Sequence, residues 1–429
     1  FELVNPSPSG TGTLSFLGTN SWTGSTYVDN GTLSIDASTT NGGMPSDVFI
    51  GNGSGAANSA VLTEGSAHNI ADTAGVSLSS DGRWNLAGNE TIGRLNGTGG
   101  TVSLGSSILT VNPTGVSSFA GVITGTGVFR KLGNYTQVLS GNNTYSGGTD
   151  ITAGTVVVNG NQPAGAVTVQ SGAYLFGSGT VGPLTVSGGA SVTPGSSPPP
   201  SPNNGGPGIL SVSGNMTLAS GSTYLADLNG TTPGSGYDRI AVTGTASIAG
   251  ANLQIYTGFT PTGGTTFTIL TASAVNGTFA GLAEGTLVFG QNTGDKYYIH
   301  YSGTSVVLTA CQNLSNVAVN LTSGSTTVCS GTGGTLSVSD TGGGGNSHQW
   351  GYRTVSNGAI TTIPSQTNAS YTIAAADFPA PGSYLVVCTS NPLCGSMMTS
   401  NEVSVSIGDP TAPTVTPPGD LTVTQTTCQ

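Results

Sequence analysis

The sequence predicts an all-β chain whose larger part is an elongated β-solenoid. Charged residues make up only 6% of the 429 residues, against about 25% in ordinary globular chains. Glycine supplies 70 residues while hydrophobic residues still reach 35%. Many of these are Val, Ile, Leu or Tyr in short alternating runs, the pattern of many short strands joined by glycine turns. The third observation is internal repetition, because one short motif recurs along the first 300 residues.

The clearest copies are NSWTGSTYVDNGTLSI at 20–35 and NTYSGGTDITAGTVVV at 143–158, which align without a gap at an offset of 123. Trp22 matches Tyr145, Gly24 matches Gly147, Thr26 matches Thr149, and Gly31 matches Gly154. The unit reads as an aromatic residue, a tight glycine turn, a threonine that starts a strand, a second glycine turn and a second strand. It is too short and glycine-rich to bury a core alone, so its apolar residues need copies stacked above and below. Weaker copies follow at 101–112, 166–179, 184–195, 209–228 and 241–258. A sandwich gives similar strand spacing, but its strands need not resemble one another, and the recurrence favours a solenoid.

The segment VFRKLGNYTQVLSGNNTYSGGTDITAGTVVVNG at 128–160 resembles the passenger-associated, or autotransporter-associated, β-strand repeat of bacterial surface proteins. Residues 90–112 resemble the segment that precedes that repeat, and 236–256 with 265–282 resemble the end of passenger stalks. The resemblance covers about residues 10–309. It implies a right-handed parallel β-helix, secretion and surface display, but no particular chemistry, since such stalks carry adhesins, proteases and spacers alike. At about 20–25 residues per coil and strand spacing of about 4.8 Å, the rod would be on the order of 60–70 Å long. A typical autotransporter continues into an outer-membrane barrel. Here a cysteine-bearing module begins near residue 310 instead.

Residues 310–409 carry a different pattern. Cys329, Trp350 and Cys388 have the order and rough spacing of the core Cys–Trp–Cys of an immunoglobulin-like sandwich. HQW at 348–350 reads as a strand, Ala374–Asp377 as a turn, and SYLVVC at 383–388 and NEVSVSI at 401–407 as closing strands. Tyr384 precedes Cys388 by four residues rather than the two of a tyrosine corner. The module resembles the Ig-like or PKD-like domains of large Bacteroidetes surface proteins. That resemblance implies a Cys329–Cys388 bond between the sheets and a Cys311–Cys394 bond at one end. Cys428 is left over, in a Pro-rich linker and strand at 410–429. It is expected either to open a further module or to lie in a strand that completes a neighbouring subunit. The three segments 1–309, 310–409 and 410–429 are the expected domains.

Net charge is −11 with seven basic residues in all. A nucleic-acid binder needs Lys/Arg clusters to neutralise phosphates, and docking on an anionic bilayer needs the same. No apolar stretch approaches the roughly 18–20 residues of a membrane span. The chain opens on Phe1 without an export signal, which suggests a processed or excerpted chain. Five cysteines without CxxC or Cys/His spacing argue for disulfides and an oxidising compartment rather than zinc.

Catalysis finds little support. Glycosidases need two carboxylates facing across the scissile bond, and the 18 acidic residues are scattered almost singly. Only coils stacking upon one another can bring them together. His68, His300 and His348 stand in no triad signature. No calcium-binding nonapeptide occurs, and Gly342–Gly345 reads as a loop rather than a phosphate cradle. Asp238 and Arg239 form the best-defined charged pair and are expected to be structural, with Tyr237 and Arg239 covering the side of the solenoid. Asp72-Thr73-Ala74 fits a bacterial O-glycosylation pattern, with Thr73 as acceptor. The expected protein is thus a non-enzymatic extracellular structural protein without cofactor. Its expected partner is itself, end to end, as a filament or sheath subunit, with the cell surface and other surface polymers as further contacts. The alternatives are a stalk segment of a large adhesin and a β-helix polysaccharide lyase or glycosidase.

Overall fold

The computed structural model describes residues 1–3, 12–37, 43–195, 206–343, 346–392 and 394–408. The tail at 410–429, with Cys428, and Gly344–Gly345 lie outside them. The chain forms two compact units, Phe1–Pro261 with Thr265–Thr309, and Thr262–Gly264 with Ala310–Gln429. Strands dominate both, and the one helical element among the described residues is a three-residue turn at Ala375–Asp377. No described helix is long and apolar enough to cross a membrane.

In the first unit the chain winds through parallel sheets in turn. Gly75–Leu78 joins a twelve-stranded sheet, Gly82–Asn85 a six-stranded one and Glu90–Ile92 a nine-stranded one, and Arg94–Gly97 returns to the first. From coil to coil the pairing is parallel, as with Leu95 on Val76 and Val102 on Trp84. Strand alternation sends Val76, Trp84, Ile92, Leu95, Val102 and Leu109 inward, where all are fully buried. Each such side chain contributes about 1.5–3 kcal/mol relative to exposure, an upper estimate because the unfolded chain already hides part of it.

Coil length is not constant. In the twelve-stranded sheet Tyr174 pairs with Ser191, 17 residues on, and Ser191 with Thr223, 32 residues on. Twelve strands at about 4.8 Å spacing give roughly 50 Å along that sheet, shorter than the sequence suggested. The difference arises because several coils are long, and because Thr266–Thr271 pairs antiparallel with Ser305–Ala310 instead of starting another coil. The strands at Lys296–Ser302 and Leu287–Phe289 extend this antiparallel end, which limits the edge left for another chain to pair with.

The six-stranded sheet ends at Val122–Thr124, and an eight-stranded sheet begins at Asn161–Gln162. Asn143 joins them. Its side-chain oxygen accepts from the Ile123 N–H at 2.8 Å and its own N–H donates to the Asn161 carbonyl at 2.6 Å. One corner of the coil is a column of glycines for a steric reason. A Cβ on Gly121 would meet the Gly99 carbonyl oxygen, one on Gly141 that of Gly121, one on Gly160 that of Gly141, and one on Gly179 that of Gly160.

In the second unit two mainly antiparallel sheets enclose one core. The first holds Asn316–Ser323, Thr332–Thr341 and Ser370–Ala374. The second runs in the order Thr327–Val328, Val403–Ile407, Gly382–Asn391, Ser347–Arg353, Thr361–Thr362. Trp350 is fully buried between Leu336, Tyr371, Val386 and Cys388, and its indole N–H donates to Asn368 O at 2.8 Å. Tyr384, despite its unusual spacing, donates its hydroxyl to Ala380 O at 2.7 Å.

Two expectations are corrected here. Cys311 and Cys394 are disulfide-bonded, but the Cys329–Cys388 bond is not formed, because Cys388 carries a free, buried thiol. Cys329 falls before the strand that begins at Thr332, and the buried residue of that strand that joins Cys388 in the core is Leu336. Cys329 is itself disulfide-bonded, though not to Cys388. The second correction concerns Asp238, which does not pair with Arg239. Its carboxylate turns inward and accepts from the N–H groups of Gly208 and Asp227 at 2.8 and 3.0 Å.

Candidate functional site

The repeat motif builds a corner of the coil. Tyr145 is buried, and its hydroxyl lies 2.5 Å from the Thr149 hydroxyl and 3.4 Å from Gln162 Oε1. Gln162 Nε2 donates to the same Thr149 oxygen at 3.2 Å. Burial pushes the Tyr145 hydroxyl above its ordinary pKa, so it stays a neutral donor. In the other copy Trp22 Nε1 donates to Thr26 Oγ1 at 3.1 Å. Gly31 and Gly154 both take the left-handed conformation, with φ of 87° and 66°, which only glycine adopts without strain. Gly147 has no room for a Cβ against the Gly127 carbonyl, whereas Gly24 faces open space.

The two copies occupy different faces. Thr26–Val28 lies in the twelve-stranded sheet and Gly31–Asp36 in the six-stranded one. Thr149–Ile151 lies in the nine-stranded sheet and Thr155–Val158 in the twelve-stranded one. The motif therefore belongs to a corner, and its offset of 123 residues is not a whole number of coils.

Lys131 belongs to the same region. Its side chain is sealed inside, with Nζ donating to the carbonyls of Leu132, Gly133 and Ala153 at 2.5, 2.9 and 3.4 Å. Burial draws the ammonium down to about 8. Lys131 opens the Lys-Leu-Gly run of the repeat-like segment at 128–160, but nothing in that run marked its side chain as buried, and Gln162 lies just beyond the segment.

Stacking does bring carboxyl groups together, but inside the coil. Glu64 and Glu90 are 2% and 0% exposed. Glu64 Oε1 accepts from Trp84 Nε1 at 2.7 Å. Glu90 accepts from the N–H groups of Asn69 and Thr91 at 2.7 and 3.0 Å and from that of Ile70 at 3.4 Å. Asp238 is fully buried beside the half-buried Asp227, and burial raises both, Asp227 to about 6. Such pairs have the composition of a glycosidase centre but not the access, because a glycan must lie between the two carboxyls. The sequence held one clue, since Glu64 continues the inward alternation of Ala60 and Leu62.

The histidines have local partners. His300 Nδ1 lies 2.8 Å from Glu284 on the surface. His348 Nε2 lies 2.7 Å from Asp340, which also accepts from Asn346 and Ser390 at 2.8 and 2.9 Å. Ser390 bonds to the carboxylate and not to the imidazole, so the three do not form a nucleophile–base–acid relay. His68 sits in a turn with φ of 54°. Among the described residues no group of three His, Cys, Asp or Glu side chains is placed to hold a metal ion.

The outward faces are hydroxyl-rich, with ion pairs at Arg94–Asp47 and Arg130–Asp150. Ser15, Ser34, Thr63, Asn85, Ser103 and Thr124 stack in register along the six-stranded sheet. Tyr27 and Phe49 stack on the twelve-stranded sheet with centroids 4.8 Å apart and planes 9° apart. Thr73 is exposed in a turn. A groove of about 340 Å³ lined by Leu253, Leu282, Leu287 and Phe289 flanks the last strand of the twelve-stranded sheet.

The passenger-associated transport repeat matches residues 9–35 and 129–158, the stretches that hold the Trp22–Thr26 and Tyr145–Thr149 corners. The chain is also 37% identical over 100 residues to the adhesin BmaC autotransporter of Brucella suis biovar 1 (strain 1330). That match covers 22% of this chain and 3% of the adhesin. The chain thus carries autotransporter passenger repeats on an all-β fold of stacked parallel sheets.

Proposed function

We propose that the chain is a non-enzymatic structural segment of a cell-surface adhesin, a passenger stalk that holds side chains at fixed spacing outside the cell. The observation that carries this is the hydrogen-bonded aromatic–threonine corner, found in both stretches that match the passenger repeat. A coil of this kind satisfies its backbone from one turn to the next and needs few charges, which suits an exposed position. The sealing of the Glu64–Glu90 pair inside the coil supports the absence of catalysis. Right-handed winding is the expectation for parallel strands joined by crossovers. The second unit is proposed to be Ig-like, on the strength of Trp350 buried between its two sheets.

Localisation at the bacterial cell surface follows from the same repeats and from the similarity to an adhesin. The scarcity of Lys and Arg argues against nucleic acid as a partner. The filament or sheath reading rested on the tail at 410–429 and on Cys428, which lie outside the described residues. The stalk reading is therefore the better supported.

Electron microscopy of the native protein, with antibody labelling of intact cells, tests the reading. Separate rods projecting from labelled cells are expected. Long polymers of the purified chain would replace the stalk with the filament, and turnover of a polysaccharide would overturn the non-enzymatic reading.

A further inference from the structure

We infer that Glu64 and Glu90 share a proton inside the coil and act as a pH-sensitive latch on the amino-terminal coils. Glu64 ends the strand Ala60–Glu64 of the six-stranded sheet, and Glu90 opens Glu90–Ile92 of the nine-stranded sheet. A bond between them therefore ties two walls of the coil across its interior. Glu90 accepts three backbone N–H groups, a donor set that favours the ionised form. Glu64 Oε2 is sealed and receives no donor among the described residues, and the Glu90 carboxyl is its charged neighbour inside the coil. An oxygen without a donor, beside a carboxylate that already accepts, is satisfied when it carries the proton and donates it. Glu64 COOH then gives its O–H to Glu90 COO⁻, and the pair carries one negative charge.

Among the described residues no cation offsets a second charge. Arg83, on the strand next to Glu64, turns outward and donates to Asn85 Oδ1 at 2.8 Å. Asp36, beside the end of the Glu64 strand, is exposed. His68, in the corner between the two glutamates, is held through its backbone N–H by Asn89 O, and its ring bonds to neither carboxyl. Two ionised carboxylates buried in contact repel without compensation.

Burial raises both groups, Glu64 well above the usual carboxylate range and Glu90 to about 7. The sign follows directly. The unfolded chain releases both protons near the ordinary glutamate range, about 4.3, while the coil retains them. The stability that the pair contributes is complete below that range. It falls as pH rises through about 7 and continues to fall as the remaining proton is lost. Alkaline conditions thus loosen these coils and acidic ones tighten them.

Hydrogen exchange of the full chain, corrected for the intrinsic pH dependence of exchange, tests the latch. Amides of 60–64, 69–70 and 82–92 are followed between pH 7.5 and 9, above the Glu90 range of about 7, in the wild type and in Glu64→Gln. In the wild type their opening constant should rise by up to about tenfold per pH unit, the limit for loss of one proton. In Glu64→Gln a permanent N–H donor replaces the titrating O–H, and the rise should disappear. Equal pH dependence in both proteins would overturn the inference. A second measurement does not depend on the variant folding: ¹³C titration of the wild-type glutamate carboxyls. A Glu64 resonance that titrates in the ordinary carboxylate range would also overturn it.

Discussion

The hydroxyl of Tyr145 lies 2.5 Å from the hydroxyl of Thr149, four residues further along the chain. Trp22 Nε1 reaches Thr26 Oγ1 across the same four residues at 3.1 Å. Two chemically different aromatic side chains thus meet a threonine hydroxyl at the same spacing, and the threonine is the constant partner. Removing the Tyr145 hydroxyl leaves Thr149 Oγ1 with only the Gln162 Nε2 donor and takes the Tyr145 contact from the buried Gln162 Oε1. Tyr145→Phe should therefore cost about 1–3 kcal/mol, measured by chemical denaturation. A cycle with Thr149→Val should give a coupling of about 0.5–3 kcal/mol. Strict additivity would mean that the pair does not interact.

Gly141 and Gly115 should respond in opposite ways to alanine. At Gly141 the new methyl would lie against the Gly121 carbonyl, whereas at Gly115 it meets nothing within 4 Å. Gly141→Ala should destabilise by about 1–3 kcal/mol through overpacking. Gly115→Ala should be neutral, or stabilising by up to about 1 kcal/mol through the unfolded state. Thermal melts of the two variants make the comparison.

Asp227 supplies a second pH prediction. Its carboxyl is raised from 3.8 to about 6 by burial. The stability tied to it is complete below the unfolded value and is lost as pH rises from about 4 through about 6. Asp227→Asn should flatten the stability profile across that interval, read by denaturation midpoints at several pH values. A profile with unchanged slope would count against the raised carboxyl.

The cysteines can be separated by accessibility. Burial pushes the Cys388 thiol up to about 12, and an inert buried thiol resists alkylation. Iodoacetamide should leave Cys388 unmodified in the native protein and label it after unreduced denaturation. Peptide mapping should recover Cys311 joined to Cys394. Replacing that pair by serines should cost about 2–5 kcal/mol.

Much of the fold was legible because strand alternation is local. The runs at 209–228 and 241–258 form strands where expected, at Ile209–Val212, Met216–Leu218, Thr223–Leu228 and Thr245–Ser247. What depends on coil length was hidden. Glu64 and Glu90 meet only because the chain between them closes one particular circuit, and coils of 17 to 32 residues do not give such meetings in advance. The Cys329–Cys388 expectation failed for a related reason. Residue order along the chain suggested a cross-sheet pair, but Cys329 stops short of the strand at Thr332, and Leu336 occupies the core beside Cys388.

The move of the motif from one wall of the coil to the next has a consequence for how such chains diversify. Because its two copies start on different walls, the motif fixes a corner but not a bearing around the axis. Lengthening or shortening the coils between two copies therefore changes which wall each corner faces.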